Sequence, residues 1–277
     1  MTKESMRILK WSSAKARLLL VLVLVGSGAV MAVTPAGASA TSPTPASAAI
    51  LRDISSIPAT EFNAIGAASI VAPTHIKKQS MLTENKLPEV LYVGAEFCPF
   101  CAAERWSLAI ALLRFGTFKG LSTIASSPTD IYPSTASLDF HGAVFTSSYL
   151  AFTEVEVETV NHQPLMTLTK AQNALVNKYD TPKWVPGLTT SGSIPFVDFG
   201  NRFLQVGSNY SPSLLAGLKA KKIASDLSDH NSSVTKSIVA TANQLTADIC
   251  VLTKEQPGKV CLSPGVESAD AKQGLPH

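Results

Sequence analysis

The sequence lacks the motifs of several large enzyme and binding classes. It has no glycine-rich phosphate-binding loop, no Ser-His-Asp arrangement and no paired-carboxylate signature. Its five histidines show no metal-ligand spacing, and we expect neither a cofactor nor a resident metal ion. The formal charge is +3, but residues 1–40 hold five Lys or Arg residues against one Glu, and without them the charge is −1. We expect no nucleic-acid partner, because that function needs clustered basic residues on the folded domain.

Cysteine is also scarce, and all four cysteines lie outside the first 40 residues. They are Cys98, Cys101, Cys250 and Cys261. An even number in an oxidising compartment permits two disulfides, and the spacing favours Cys98 with Cys101 and Cys250 with Cys261. Four cysteines allow three connectivities, so the pairing stays open at this point.

The N-terminal segment has the pattern of an export signal. A basic stretch precedes the apolar run 18–33, and two A-x-A sites follow in residues 36–40. We expect residues 1–40 to be a cleaved signal peptide or a retained N-terminal membrane anchor, with membrane contact only if they are retained. The remaining chain is then extracytoplasmic, secreted or in the cell envelope. Residues 41–50, rich in Ala, Pro, Ser and Thr, are expected to be a flexible linker.

The clearest local pattern surrounds the C-x-x-C motif Cys98-Pro99-Phe100-Cys101. The apolar, partly β-branched run 90–95 predicts a buried strand directly before it. The run 102–115 predicts a helix directly after it. The cysteines therefore stand at a strand-to-helix junction, where free backbone N–H groups and the helix dipole stabilise a thiolate.

The rest of the chain predicts further strands and helices. In order, they are a strand at 121–124, a half-exposed strand at 155–160, a helix at 169–179, a hairpin of 193–199 and 202–206 around Gly200-Asn201, and helices at 211–227 and 232–252. Residues 263–277 are expected to be a loose tail.

This order of elements resembles a thioredoxin-like fold. The resemblance rests on residues 95–101 and on Ile194-Pro195. It implies an α/β domain over residues 51–262, with a central mixed sheet flanked by helices and extra C-terminal helices. A long insertion, about 116–193, would separate the CxxC helix from the cis-Pro strand. The Ile194-Pro195 bond would be cis and would face the cysteines.

A closer resemblance is to a thioredoxin-like group called domain of unknown function 929, through residues 92–106 and 114–118. The activity of that group is not established. One departure from thioredoxin itself concerns Tyr92, which stands where thioredoxin places a buried Asp that handles protons. Glu96 is the remaining candidate for that role.

The site residues follow from the motif and the resemblance. Cys98 is the expected attacking thiol, and Cys101 is the expected resolving thiol. Two other interpretations of the motif are a structural disulfide and half of a zinc site, for which Cys250 and Cys261 are a poor second pair. The expected substrate contacts are Pro99, Phe100, Ile194 and Pro195.

Two charged neighbours are candidate modulators of the thiols, Glu96 and Arg105. Arg105 could add positive potential near the motif, but pairing with a Glu on the helix surface is favoured. Cys250 and Cys261 are expected to form a structural disulfide rather than a second redox pair.

These features predict an exported thiol–disulfide oxidoreductase that acts on cysteine-containing exported proteins and is reset by a membrane redox partner. An oxidase, an isomerase and a reductase would all use these residues, so the direction of electron transfer stays open. The main alternative is a non-enzymatic exported binding module with two structural disulfides. A third hypothesis is metal handling by Cys98 and Cys101.

Overall fold

The computed structural model describes residues 42–67 and 70–273. The expected signal peptide or anchor in residues 1–40 lies outside the described residues, so it stays a prediction. None of the helices in the described part has the length and apolar character needed to cross a membrane.

The described residues form eleven strands and eight α-helices. The strands are β1 (Thr44–Pro45), β2 (Thr74–His75), β3 (Thr83–Glu84), β4 (Leu87–Gly94), β5 (Gly116–Lys119), β6 (Ser122–Ala125), β7 (Ala136–Asp139), β8 (Val144–Ser147), β9 (Ala151–Glu156), β10 (Phe196–Phe199) and β11 (Phe203–Val206). The helices are α1 (Ala48–Ser55), α2 (Ala59–Ile65), α3 (Pro99–Leu113), α4 (Lys170–Tyr179), α5 (Ala220–Asp226), α6 (Ser233–Leu252), α7 (Gly258–Cys261) and α8 (Pro264–Gln273).

The central sheet is built around β4. This strand pairs antiparallel with β10 and parallel with β9, and the sheet continues from β10 through β11 to β2. Successive side chains of a strand face opposite sides of a sheet. Val90 and Tyr92 accordingly belong to one apolar cluster, and Leu91 and Val93 belong to another. A strand buried on both faces has to be apolar throughout, which explains the uninterrupted run in the sequence.

Helices cover both faces of this sheet. α3 and α6 pack against each other over the face that carries Val90 and Tyr92. On the other face, α4 contributes Leu175, Val176 and Tyr179 to the second cluster. The expected fold class is confirmed: the chain has a central mixed sheet flanked by helices, with further C-terminal helices, an arrangement compatible with a thioredoxin-like fold.

The segment between α3 and β10 is long, as expected, but part of it belongs to the central sheet. β5 pairs with β8, and β6 pairs with β1 and β7, so these strands form two small separate sheets. β9 instead lies beside β4, in a parallel register that runs from Glu89 opposite Ala151 to Gly94 opposite Glu156. The expected insertion at about 116–193 therefore includes a strand of the central sheet and the helix α4 that packs on it.

The expected single helix at 211–227 is interrupted. A 3-10 helix spans Pro212–Leu215, and α5 begins at Ala220. Between them Gly217 has a φ of 72°, a left-handed conformation that a glycine adopts without steric cost and that no α-helix contains.

Both ends of the described chain are more ordered than expected. β1 and the start of α1 fall within the expected linker at 41–50. In the expected loose tail at 263–277, α8 packs against α2 and α6. Gly265 of α8 lies so close to the carbonyl group of Phe62 that a Cβ would collide with it, which makes glycine necessary at this crossing.

The two C-terminal cysteines form a disulfide, as their spacing favoured. Cys250 near the end of α6 is bonded to Cys261 in α7, 11 residues further along the chain. The bond ties the chain after α6 back onto that helix.

Replacing both cysteines in a Cys250→Ser/Cys261→Ser variant should lower the free energy of unfolding by about 3 kcal/mol, because the disulfide restrains a loop in the unfolded chain. Urea unfolding of the variant and the wild type measures the difference. The control is the same comparison in excess reductant, where the two proteins should unfold at nearly the same urea concentration. Equal stability under oxidising conditions would contradict the expectation.

Candidate functional site

The two remaining thiols lie where β4 ends and α3 begins. Cys98 is the N-cap residue of α3, and its Sγ accepts a hydrogen bond from the backbone N–H of Cys101 at 3.3 Å. Pro99 occupies the first turn of the helix, where a residue without an N–H group leaves no helical bond unmade. Both cysteines are free thiols in this structure. The strand, the motif and the helix thus follow one another as the sequence predicts.

The two thiols have different electrostatic surroundings. Cys98 is 4% exposed, whereas Cys101 is fully buried. The pKa of Cys98 is lowered by the hydrogen bond with the Cys101 thiol, then by the backbone N–H of Cys101 and the guanidinium of Arg105, although burial acts in the opposite direction. Burial raises the pKa of Cys101 well above its ordinary value, and the hydrogen bond with Cys98 raises it further. Cys98 is therefore the thiol that ionises first.

The Ile194-Pro195 bond is cis and lies beside the motif, as the resemblance implies. The carbonyl oxygen of Ile194 is 3.8 Å from the Sγ of Cys98. The antiparallel pairing of β10 with β4, which places Phe196 opposite Val93, brings the two segments together. Two parts of the chain almost 100 residues apart thus meet at one sulfur atom.

A loop of the insertion forms one side of the site. The backbone N–H of Ser127 donates to the carbonyl oxygen of Phe97 at 2.9 Å, which holds this loop against the motif. The ring of Tyr132 meets the edge of the Phe100 ring, with 5.8 Å between the centroids. Phe100 and Ile131 remain 37% and 71% exposed. The sequence analysis did not assign this loop to the site, because it carries no motif that signals contact with the cysteines.

The sequence favoured pairing of Arg105 with a Glu on the helix surface, and this prediction is wrong. Arg105 is fully buried behind the thiols. Its Nε and Nη2 donate to the two carboxylate oxygens of Glu156 at 2.8 and 2.7 Å, and Nη2 also donates to the carbonyl oxygen of Ala95 at 2.8 Å. Although burial alone would lower the pKa of Arg105, the Glu156 carboxylate raises it well above its ordinary value. Arg105 therefore stays charged and contributes positive potential at both cysteines.

Glu156 was missed because it lies in the run 155–160, which alternates with period two, whereas the strand β9 itself spans Ala151–Glu156 and ends at this residue. That pattern predicts a half-exposed strand with its glutamates in water. In the structure Glu156 is fully buried and accepts the bidentate bond from Arg105. An arginine within the mostly apolar helix α3 was the available signal that a buried carboxylate faces it.

Glu96 and Tyr92 also lie near the motif. Oε2 of Glu96 accepts a hydrogen bond from the backbone N–H of Val160 at 3.1 Å, and burial, followed by the charge of Asp139, raises the pKa of Glu96. Glu96 lines a cavity of about 410 Å³ and so has a route to solvent. Burial raises the pKa of Tyr92 well above 10, and its hydroxyl has no hydrogen-bond partner among the described residues.

Glu104 on α3 is another buried glutamate, besides Glu156, that was not assigned to the site from the sequence. Glu104 is fully buried one turn after Cys101. Its Oε2 accepts from the backbone N–H of Asn209 at 3.1 Å, whereas Oε1 has no partner within the described part of the chain. Burial raises the pKa of Glu104 to about 8, and the Asn209 hydrogen bond opposes this effect.

The described residues offer little to a metal ion at the motif. The group of potential ligands with suitable spacing in the described residues is Cys250, Glu255 and Cys261, at the C-terminal disulfide and not at the motif, and its two sulfur atoms are bonded to each other. Within residues 42–67 and 70–273, Cys98 and Cys101 belong to no group of three potential ligands.

Comparison with known proteins assigns the chain to a family. A family model described as a domain of unknown function, DUF929, matches residues 74–251, which is more than half of the chain. The chain belongs to the DUF929 family. The matched residues include the C-x-x-C motif, the cis-proline and nearly all of α6. No curated protein and no solved structure matches the chain. The function of this DUF929 protein therefore has to be argued from its site.

Replacing Glu104 in the DUF929 protein should change how stability depends on pH. The pKa of Glu104 is about 8 in the folded chain and 4.5 in an ordinary glutamate. The folded state therefore keeps a proton that the unfolded state loses, and this contribution is complete below about pH 4.5 and is lost as the pH rises to about 8. Relative to Glu104→Gln, the wild type should lose up to roughly 4 kcal/mol between pH 5 and pH 8.

Urea unfolding at several pH values measures this difference, and the exposed Glu267→Gln on α8 is the matched control. The Glu267→Gln protein should keep the pH dependence of the wild type. Parallel stability curves for the wild type and Glu104→Gln would show that Glu104 does not hold a proton in the folded chain.

Replacing the buried ion pair should alter the reactivity of Cys98. An Arg105→Gln/Glu156→Gln variant removes the charge behind the thiols without leaving one buried ion unpaired. The pKa of Cys98 should rise, because the Arg105 guanidinium helps to lower it. Alkylation by iodoacetamide across a pH series, resolved by mass spectrometry, measures this pKa.

The single variant Glu156→Gln is the comparison. It leaves Arg105 without its counter-charge and should lower the free energy of unfolding by about 3–5 kcal/mol. An unchanged alkylation profile in the folded double variant would remove Arg105 from the residues that tune the thiol.

Proposed function

We propose that the chain is an exported thiol–disulfide oxidoreductase whose redox centre is Cys98 and Cys101. The observation that carries the proposal is the placement of the Cys98 Sγ at the N-terminus of α3. There it accepts the backbone N–H of Cys101 at 3.3 Å and lies 3.8 Å from the carbonyl oxygen of Ile194. Disulfide exchange needs a thiolate, which a helix N-terminus stabilises, and a second thiol close enough to resolve the mixed disulfide.

The exchange proceeds in two displacements. The Cys98 thiolate attacks one sulfur atom of a substrate disulfide, a mixed disulfide forms, and the other substrate sulfur leaves as a thiolate. Cys101 then loses its proton and attacks the Sγ of Cys98, which releases the second substrate thiolate. Two electrons pass to the substrate, and the Cys98–Cys101 disulfide forms. The reverse sequence oxidises a substrate dithiol.

Backbone and apolar contacts would hold the substrate. The carbonyl group of Ile194, which precedes the cis-proline, is placed beside Cys98 to bond an extended segment in the manner of an added strand. The exposed ring of Phe100 borders a shallow cavity of about 510 Å³ that Val71 and Tyr210 also line. None of the described residues that line this cavity is charged, and the surface favours apolar residues next to the substrate cysteine.

The compartment belongs to the same proposal. The export pattern of residues 1–40 and the Cys250–Cys261 disulfide both support a location outside the cytoplasm, where disulfides persist. Cysteine-containing proteins of that compartment would be the substrates. A membrane redox partner would return the Cys98–Cys101 pair to its starting state after each cycle.

One observation favours the alternative of a non-enzymatic binding module. Cys98 is only 4% exposed, which limits the access of a protein disulfide to its sulfur atom. In that case the pair would form a structural disulfide with a reduction potential below about −300 mV. The reactions of the pair with substrates distinguish the two functions.

A Cys101→Ala variant should accumulate mixed disulfides with cell-envelope proteins, because the thiol that resolves them is missing. Non-reducing electrophoresis and mass spectrometry of the captured species measure this outcome. The control is Cys98→Ala/Cys101→Ala, which should capture none. No capture by Cys101→Ala, together with no insulin reduction or dithiol oxidation by the wild type, would support the binding module instead.

A further inference from the structure

A second candidate site lies at the other end of α3. There a cavity of about 410 Å³ opens between α1, α2, α3 and the C-terminal helices. Most of its lining is apolar and includes Ile57, Phe62 and Leu113, but two cationic residues, Arg114 and Lys259, also line it. The mixture of an apolar wall with a few polar groups is typical of a small-molecule site.

Among the described residues, the hydrogen-bond acceptors of Arg114 are neutral oxygen atoms. Its Nη1 donates to Oδ1 of Asn243 at 3.1 Å and to Oγ1 of Thr246 at 3.3 Å, and its Nη2 donates to Oγ of Ser263 at 3.2 Å. The guanidinium also lies 4.2 Å from the centre of the Phe62 ring. Burial lowers the pKa of Arg114 to about 10, and no opposing carboxylate acts on it. Among residues 42–67 and 70–273, no Asp or Glu forms an ion pair with Arg114.

Comparison with Arg105 shows that Arg114 lacks a carboxylate partner among the described residues. The Nε and Nη2 of Arg105 donate side by side to the carboxylate of Glu156. In Arg114 three of the five N–H groups have acceptors, and the described residues supply none for Nε or for the second hydrogen of Nη2. An Nε–H and an Nη2–H on the same edge of a guanidinium can bind a carboxylate in a bidentate manner, as Arg105 binds Glu156.

The guanidinium is also held in place for such a ligand. The side-chain amide of Asn243 donates to the carbonyl oxygens of Phe62 at 2.8 Å and Gly66 at 3.0 Å. These bonds turn the amide oxygen toward Arg114. The neutral acceptors therefore orient the positive charge without neutralising it, so an incoming anion meets a group that is already positioned.

We infer that this cavity binds a small monocarboxylate with an apolar body, its carboxylate on the free edge of Arg114 and its apolar part against Phe62 and Leu113. At about 30 Å³ per water molecule, the cavity holds roughly a dozen water-sized volumes, which suits a ligand of about ten non-hydrogen atoms. A singly charged head group matches the half-buried guanidinium of Arg114, while the exposed Lys259 adds attraction at the entrance. The inference does not depend on the thiol chemistry.

Octanoate is the probe, and isothermal titration of the full chain is the measurement. The wild type should bind one octanoate saturably and should bind octanol at least about tenfold more weakly, since octanol lacks the charge that pairs with the guanidinium. Arg114→Gln should weaken octanoate binding by about tenfold or more. Lys259→Ala at the entrance should weaken it about two- to fivefold. Lys236→Ala, exposed on α6, is the matched control and should bind like the wild type.

Several outcomes would overturn the inference. They are the absence of saturable octanoate binding to the wild type, equal affinity for octanol, and unchanged affinity in folded Arg114→Gln. Tighter binding of octyl phosphate than of octanoate would overturn the assignment to carboxylates. If Arg114→Gln does not fold, the comparison of octanoate with octanol on the wild type and the effect of Lys259→Ala decide the matter, because Lys259 is exposed and neither measurement perturbs the core.

Discussion

A fully buried charge constrains the arrangement of the thiol site. The guanidinium of Arg105 on α3 binds Glu156 at the end of β9 and the carbonyl group of Ala95 just after β4. A buried ion is tolerated only when it is both paired and hydrogen-bonded, so these three segments have to meet at one point. Their meeting sets the position of α3 on the sheet, and with it the place of Cys98 at the helix N-terminus.

This arrangement makes two chemically similar thiols unequal. Cys98 caps the helix, where the hydrogen bond with the Cys101 thiol, the backbone N–H of Cys101 and the positive charge of Arg105 lower the pKa of its thiol. Cys101, one turn into the same helix, is fully buried, and burial raises the pKa of its thiol. Disulfide exchange uses such a difference, because the first thiol has to react as a thiolate while the second waits for the mixed disulfide.

A second arginine, the half-buried Arg114 at the C-cap of the same helix, is in the opposite situation. Arg105 is neutralised by a carboxylate and becomes part of the scaffold behind the thiols. Arg114, nine positions further on, is oriented by three neutral oxygen atoms and faces a cavity. One helix therefore links the proposed redox site at its N-terminus to the proposed anion site at its C-cap, although the two sites would use different chemistry.

Local sequence patterns determined the parts of this protein that depend on neighbouring residues. The strand before Cys98, the helix after Cys101 and the hairpin at Gly200-Asn201 each follow from short runs of residues. The partners of Arg105 and Arg114, and the place of β9 in the central sheet, depended on tertiary structure. The alternation over residues 155–160 predicts side chains on two faces of a strand, but it does not show whether a face meets water or a buried guanidinium. The environment of Glu156 depends on Arg105, some 50 positions away in the chain, which only folding brings within hydrogen-bond distance.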